Sequence, residues 1–317
     1  MKGPSLSPWL CRSAFLFPSS SGDLMEPFVL FVLSVFTAFG FYALLAWGLG
    51  LIFGQLNVVN VAHGDMAMVG AYLMVVLTPV AFPLRLLLAV IGGLVLGALI
   101  ERGLLSRLYE HGMLATLLAM WGTGIVLRQT AEAIFGPTPA SVPAPITGTV
   151  EILGVDYPIF RLVSATVSLL ILAGLVLVMY RTSLGLRLRA SIDNRAMAAG
   201  FGIPTGAMVT GTFAVGTALA VLAGAMQSPM LGITPQVGVS LLAPTFFAVL
   251  LGRPGSIGGP IFGAFVVAVL DIGLRTVLPE TVAGVVFFVA LIALIALQPQ
   301  GPNWRFTLWK PLQRRVA

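Results

Sequence analysis

Apolar runs long enough to cross a bilayer recur along nearly the whole chain, and no other feature restricts its fold as strongly. A helix rising ~1.5 Å per residue needs ~20 apolar residues to pass ~30 Å of hydrocarbon. Runs of about that order cover residues 27–53, 61–80, 84–100, 114–134, 159–180, 207–226, 257–272 and 282–297. A further run, 241–251, is too brief to cross alone and reads as a half-helix entering from one side. The fold class expected is an all-α polytopic membrane protein with eight transmembrane helices, or nine if 241–251 crosses, carrying Gly/Pro-interrupted segments. Charged residues make up 9% of the chain, against ~25% in soluble domains, which is too few to cover a water-exposed surface. The lipid bilayer is therefore the first partner.

Three regions follow. Residues 1–24 are rich in Ser and Pro, and Pro4, Pro8 and Pro18 break the apolar stretch that a signal peptide needs. They are expected to be a disordered extension or an upstream mis-start, with Met25 opening the working protein. One membrane domain occupies residues 25–301, and residues 302–317 form a tail.

The net charge is +6, but the basic residues stand in the gaps between apolar runs, which fits the positive-inside rule and not a nucleic-acid-binding face. Residues 101–113 carry Arg102 and Arg107, and residues 181–204 carry Arg181, Arg187, Arg189 and Arg195. The tail carries Arg305, Lys310, Arg314 and Arg315. These segments are expected in the cytoplasm. Residues 136–158 hold five prolines and no Lys or Arg, so they face the other side. The side of the N-terminus depends on whether 241–251 crosses and stays open.

Two stretches interrupt the apolar pattern: GQLNVVNVAHGD at 54–65 and GRPGSIGGP at 252–260. Backbone freed within a membrane must be buried in protein or line a wet cavity, and interrupted segments in two halves of a chain point to a transport path. Their flanks, MVGAYLMVVL at 68–77 and IFGAFVVAVL at 261–270, share Gly, Ala, Val and Leu and hint at a repeat. Asn57, Asn60, His63 and Asp65 either line or gate a substrate path, or cap broken backbone with Asp65 in water at the membrane edge. Gly252, Pro254, Gly255, Gly258 and Gly259 are the candidate hinge. In the loop 181–204, Ser191 or Asp193 is placed to cap a short helix running through Arg195 and Ala198 to about Ala199, with Gly200 as its left-handed stop. Such a helix is a docking knob for a partner, or else a plain connection.

The chain holds one cysteine, Cys11, and two histidines, His63 and His111, so no Cys- or His-based metal cluster is expected. Lys2 and Lys310 are its only lysines and neither closes a phosphate-binding loop. No hydrolytic cluster is visible. The chain is not expected to be an enzyme or to hold a cofactor. If ATP powers it, another chain binds that ATP.

At these motifs the sequence resembles a known family. GLGLIFGQLNVVNVAHGDMAMVGAYL at 48–73, GLRLRASIDNRAMAAGFGIPT at 185–205 and LLGRPGSIGGPIFGAFVVAVLD at 250–271 are similar, in the same order and spacing, to branched-chain amino acid ABC transporter permeases of the H type. The resemblance implies a multi-pass protein of the bacterial inner membrane that imports branched-chain or related amino acids. It also implies a second, different permease subunit, two cytoplasmic ATPase subunits and a periplasmic substrate-binding protein. Residues 191–202 are then the ATPase-coupling loop. Arg253 and Pro254 depart from the family's late motif. Relatives importing urea or short amides share these motifs. An ion-coupled secondary transporter is the rival class; Glu132 and Asp271, near span ends in this reading, argue against it.

Overall fold

The apolar runs fold as helices, and the computed structural model describes residues 25–56, 58–252 and 255–297. Residues 1–24, the 302–317 tail, Asn57, Arg253 and Pro254 lie outside the described residues. In chain order the helices are α1 (Met25–Leu56), α2 (His63–Val76), α3 (Phe82–Gly103), α4 (Met113–Phe135), α5 (Ile159–Arg181), α6 (Ser183–Asp193), α7 (Arg195–Gly200), α8 (Thr205–Gln227), α9 (Val237–Leu251), α10 (Gly259–Val277) and α11 (Glu280–Leu297). A hairpin, β1 (Thr149–Ile152) and β2 (Val155–Pro158), interrupts the all-helical pattern. Its two-residue turn, Leu153 and Gly154, has φ of 51° and 86°, the twist that suits a tight hairpin.

Among the described residues six helices are long and apolar enough to cross a membrane: α1, α3, α5, α8, α10 and α11. The expected count of eight or nine is therefore not reached. The run 61–80 shortens to the 14-residue α2 because irregular backbone and turns take up its ends, while 241–251, expected as a half-helix, lies within the 15-residue α9. Helix α4 has 23 residues, but Arg128, Gln129, Thr130 and Glu132 dilute its apolar character.

Helices α1 and α8 are the core. Residues 40–52 and 216–226 are buried on every side, as expected of helices apolar all round and enclosed by others. They run antiparallel: Phe41 and Met226 line one cavity, and Leu51 and Met208 another. Where they cross, Gly48 faces the Gly216 carbonyl and Gly216 faces that of Gly48; a Cβ on Gly48 would stand 2.9 Å from the Gly216 oxygen. Around this crossing lie two triplets, α1–α2–α3 and α8–α9–α10, each long, short, long. α1 packs on α8 and α2 on α9; α1 packs on α10 as α8 packs on α3, and α1 on α9 as α8 on α2. The triplets are thus related by an internal two-fold, inverted, with their third helices exchanged. Both third helices open with Pro in the first turn. The likeness of 68–77 to 261–270 does not follow this symmetry, since it pairs α2 with α10 where the counterpart of α2 is α9.

Contacts sort the loops onto two faces. Thr37 on α1 meets the Tyr157 hydroxyl at 3.0 Å, and Ala140 pairs with Ile233. At the other end Gln55 donates to Ser191, and Thr210 donates to Glu101 at 2.6 Å. Met25 therefore starts on the face of residues 136–158, and α1 ends on the arginine-rich face. The sequence alone leaves that side open.

Candidate functional site

The first interruption turns the chain back along α1. Residues 58–60 are irregular, a turn follows, and His63 arrives at the flank of α1 with its Nε2 3.1 Å from the Leu45 carbonyl. That oxygen only accepts, so Nε2 carries the proton and Nδ1 is a bare acceptor. His63 is fully buried, and Nδ1 has no hydrogen-bond partner among the described residues. Asn60 is equally buried; its carbonyl accepts from the His63 amide at 3.2 Å and its Nδ2 reaches only the Met66 sulfur, at 3.5 Å. Its Oδ1 is unpaired too.

Two residues on, Asp65 lies where α2 and α9 begin side by side. Gly64 backs onto the Gly238 carbonyl, and Gly238 faces Asp65. Both helices present their positive ends there, which favours a carboxylate. The carboxylate already has a partner: Arg128 Nη1 donates to both of its oxygens at 3.1 Å, and Asp65 is only 3% exposed. Helix α4 delivers that arginine on its contact stripe of Thr116, Met120, Gly124 and Ala131, the i, i+4 spacing of one face. Gly124 leaves room for Asp65 Oδ2 where any side chain would collide. Asp65 is thus not in water at a membrane edge, and it does not look into an open path. Arg128 escaped the sequence reading, although a lone Arg within one apolar run and a lone Asp at the head of another are a signal to pair them.

The second interruption is a turn, not a break inside a span. It joins α9 to α10 on the arginine-rich face, with Ser256 and Gly258 exposed. Gly252 backs onto Gly259, Gly54 onto Gly255 (φ 83°), and a Cβ on Gly50 would meet Pro260 at 2.6 Å. Trp47 Nε1 donates to the Ile257 carbonyl at 3.0 Å, and Ser256 Oγ caps the Gly259 amide at 3.1 Å. The two interruptions therefore touch one another through Gly54 and Gly255. Gly258 meets nothing where a Cβ would stand.

On the same face the loop 181–204 is more helical than expected. It forms α6 and α7, and Asn194, not Ser191 or Asp193, caps α7 by accepting from the Met197 amide at 2.9 Å. Gly200 stays in the helix, and the left-handed residue is Gly202 at φ 78°. Ser191 is instead buried and accepts from Gln55 Nε2 at 2.7 Å. Ala198 is buried; Asp193, Arg195 and Ala199 are exposed, as are Met197 and Phe201 at 61% and 81%. Glu101, another residue the sequence reading missed, accepts from Tyr109 and Thr210 and ties the end of α3 to the start of α8. Burial beside that carboxylate pushes the Tyr109 phenol above its ordinary range and keeps it a donor. Asp271 sits six residues before the end of α10, deeper than expected, bonded to Tyr42 at 2.9 Å and Arg275 at 2.7 Å.

Residues 31–296 match the family described as branched-chain amino acid transport system / permease component. The high-affinity branched-chain amino acid transport system permease protein BraD of Pseudomonas aeruginosa is 27% identical over 277 residues, 82% of this chain and 90% of its own length. The corresponding LivH of Salmonella typhimurium is 26% identical over 298 residues, covering 88% and 97%. A probable LivH of Methanocaldococcus jannaschii is 27% identical, covering 86% and 91%. No solved structure matches the chain at a significant level.

Proposed function

Since the chain belongs to the family of branched-chain amino acid transport permease components, we propose that it is the membrane-spanning subunit of an ABC importer that moves branched-chain amino acids into the cytoplasm. Its place is the bacterial inner membrane, beside a second, different permease subunit. Two ATPase subunits bind and hydrolyse the ATP on the arginine-rich face, and a periplasmic binding protein delivers substrate to the face of residues 136–158. The short helices α2 and α9, each with its irregular backbone, complete two further passages by alternating helix and extended chain.

The observation that carries this reading is the Gln55–Ser191 bond. It links the end of the central helix to α6, next to the exposed Met197 and Phe201 of the α7 region. A push on α7 is thus transmitted to α1, to Gly54 and Gly255, and to the 252–258 turn. Under this reading the buried Asn60, His63 and Asp65 stand behind the path as fixed support, and the glycine contacts at Gly252, Gly255 and Gly259 form its pivot. A cysteine at Met197 should crosslink to an ATPase subunit in the intact complex; because Ala198 is buried, the neighbouring position is the better probe. Lipid adducts alone at Met197 would remove α7 from coupling. Uptake of labelled leucine against labelled urea, in a strain lacking this locus, decides the substrate class.

The topology is tested separately. With Cys11 replaced by Ser, an impermeant thiol reagent added from outside should modify Thr147→Cys but not Arg195→Cys. Thr147 is the better outer reporter because Gly148 has φ 110°, which a side chain would strain. The reverse labelling pattern would invert the orientation.

A further inference from the structure

The cavity that Phe41 and Met226 line has a volume of about 230 Å³ and opens beside the β1–β2 hairpin, between α1, α5 and the end of α8. Pockets for drug-sized ligands begin near ~300 Å³, so its occupant is small. Its lining divides by chemistry. The polar part of the lining is Arg161, Ser34, Ser168 and Gln227, and the apolar part includes Phe41, Met226, Met230 and Ile272. The Tyr157 hydroxyl donates to Thr37 Oγ1, whose own proton goes to the Leu33 carbonyl, and this fixes the rim next to the hairpin.

Arg161 is exposed and belongs to none of the ion pairs among the described residues, while Arg128 and Arg275 both have carboxylate partners. It stands in the first turn of α5, whose positive end adds to its field. An open guanidinium fork takes a planar carboxylate with two parallel hydrogen bonds. The hydroxyls of Ser34 and Ser168 and the Gln227 amide oxygen, in the same lining, can accept from an ammonium, and Phe41, Met226 and Met230 suit a short aliphatic branch.

We propose that this cavity is an entry site for a small aliphatic α-amino acid, with Arg161 binding its carboxylate. The proposal rests on the importer reading and adds a substrate contact within the permease itself. The site faces the hairpin side, where delivered substrate would arrive.

The test uses the full complex in membranes and a diazirine analogue of leucine as the probe. Photolysis should label the segment holding Met226 and Met230. Excess leucine should displace the label, and isoamylamine, which lacks the carboxylate, should not. Arg161→Gln should raise the half-saturating leucine concentration for uptake by about tenfold or more, as expected when one charge-assisted partner is lost. Abundance should be unchanged, and Arg161→Lys should restore part of the affinity. Leucine uptake with no displaceable label in this segment, or with the label equally strong in Arg161→Gln, would overturn the cavity and leave the importer reading standing. Leucine-displaceable label in a complex that takes up no leucine would keep the cavity and overturn the importer reading.

Discussion

Asp65→Asn is expected to strip the membrane of most of the assembled protein, and uptake should fall in proportion. The carboxylate is buried and bonded through both oxygens to Arg128. Removing one member of such a pair leaves an uncompensated buried charge, at a cost of about 3–5 kcal/mol. Beyond the short turn that precedes it, α4 packs chiefly on α2, so this pair is its main polar tether. The double variant Asp65→Asn, Arg128→Met removes both charges and should recover much of the abundance. Measuring abundance and leucine uptake in the same membranes separates the roles. Normal abundance with abolished uptake would mean that the carboxylate faces the substrate in another state.

Gly70→Val should be at least as damaging. Where α2 crosses α8, a Cβ on Gly70 would overlap the Val221 carbonyl, and one on Gly224 would overlap that of Ala67. The obstacle is backbone in both cases, so the two helices must separate. Overpacking of a filled core costs about 1–3 kcal/mol, and a displaced helix pair more. Gly122 and Gly174 lie in α4 and α5 with nothing near a prospective Cβ. Alanine there should be neutral or add up to about 1 kcal/mol of stability, since helix-interior glycine is entropically costly. Melting curves of the purified variants in detergent test the contrast. Equal melting temperatures for Gly70→Val and the parent would refute the close crossing.

The long spans were legible because hydrophobic length alone specifies them, and α1, α5, α8 and α11 fall close to the limits read from the chain. The shortness of α2 was not. Leu77 and Val80 prolong the apolar run past α2, and nothing in composition says that the helix stops at Val76. The cap of α7 was ambiguous for a related reason. Ser191, Asp193 and Asn194 all have capping side chains, and only backbone direction selects Asn194. The apparent repeat misled because Gly and Ala recur wherever helices approach closely, whatever their place in the symmetry. Asp65 and Arg128 are 63 positions apart, so no local periodicity could join them; matching the few charges buried in apolar runs would have.

The exchange of third helices also bears on how the protein is made. α3 is inserted long before α8 exists, and α1 waits still longer for α10, so neither half leaves the translocation machinery able to finish its own packing. The glycine faces of α2 and α3 wait for α8 and α9, and Gly50 on α1 waits for Pro260 of α10. Completion is therefore a late, concerted event. Once closed, the halves are clasped, and parting them means withdrawing a whole helix of each half from the other.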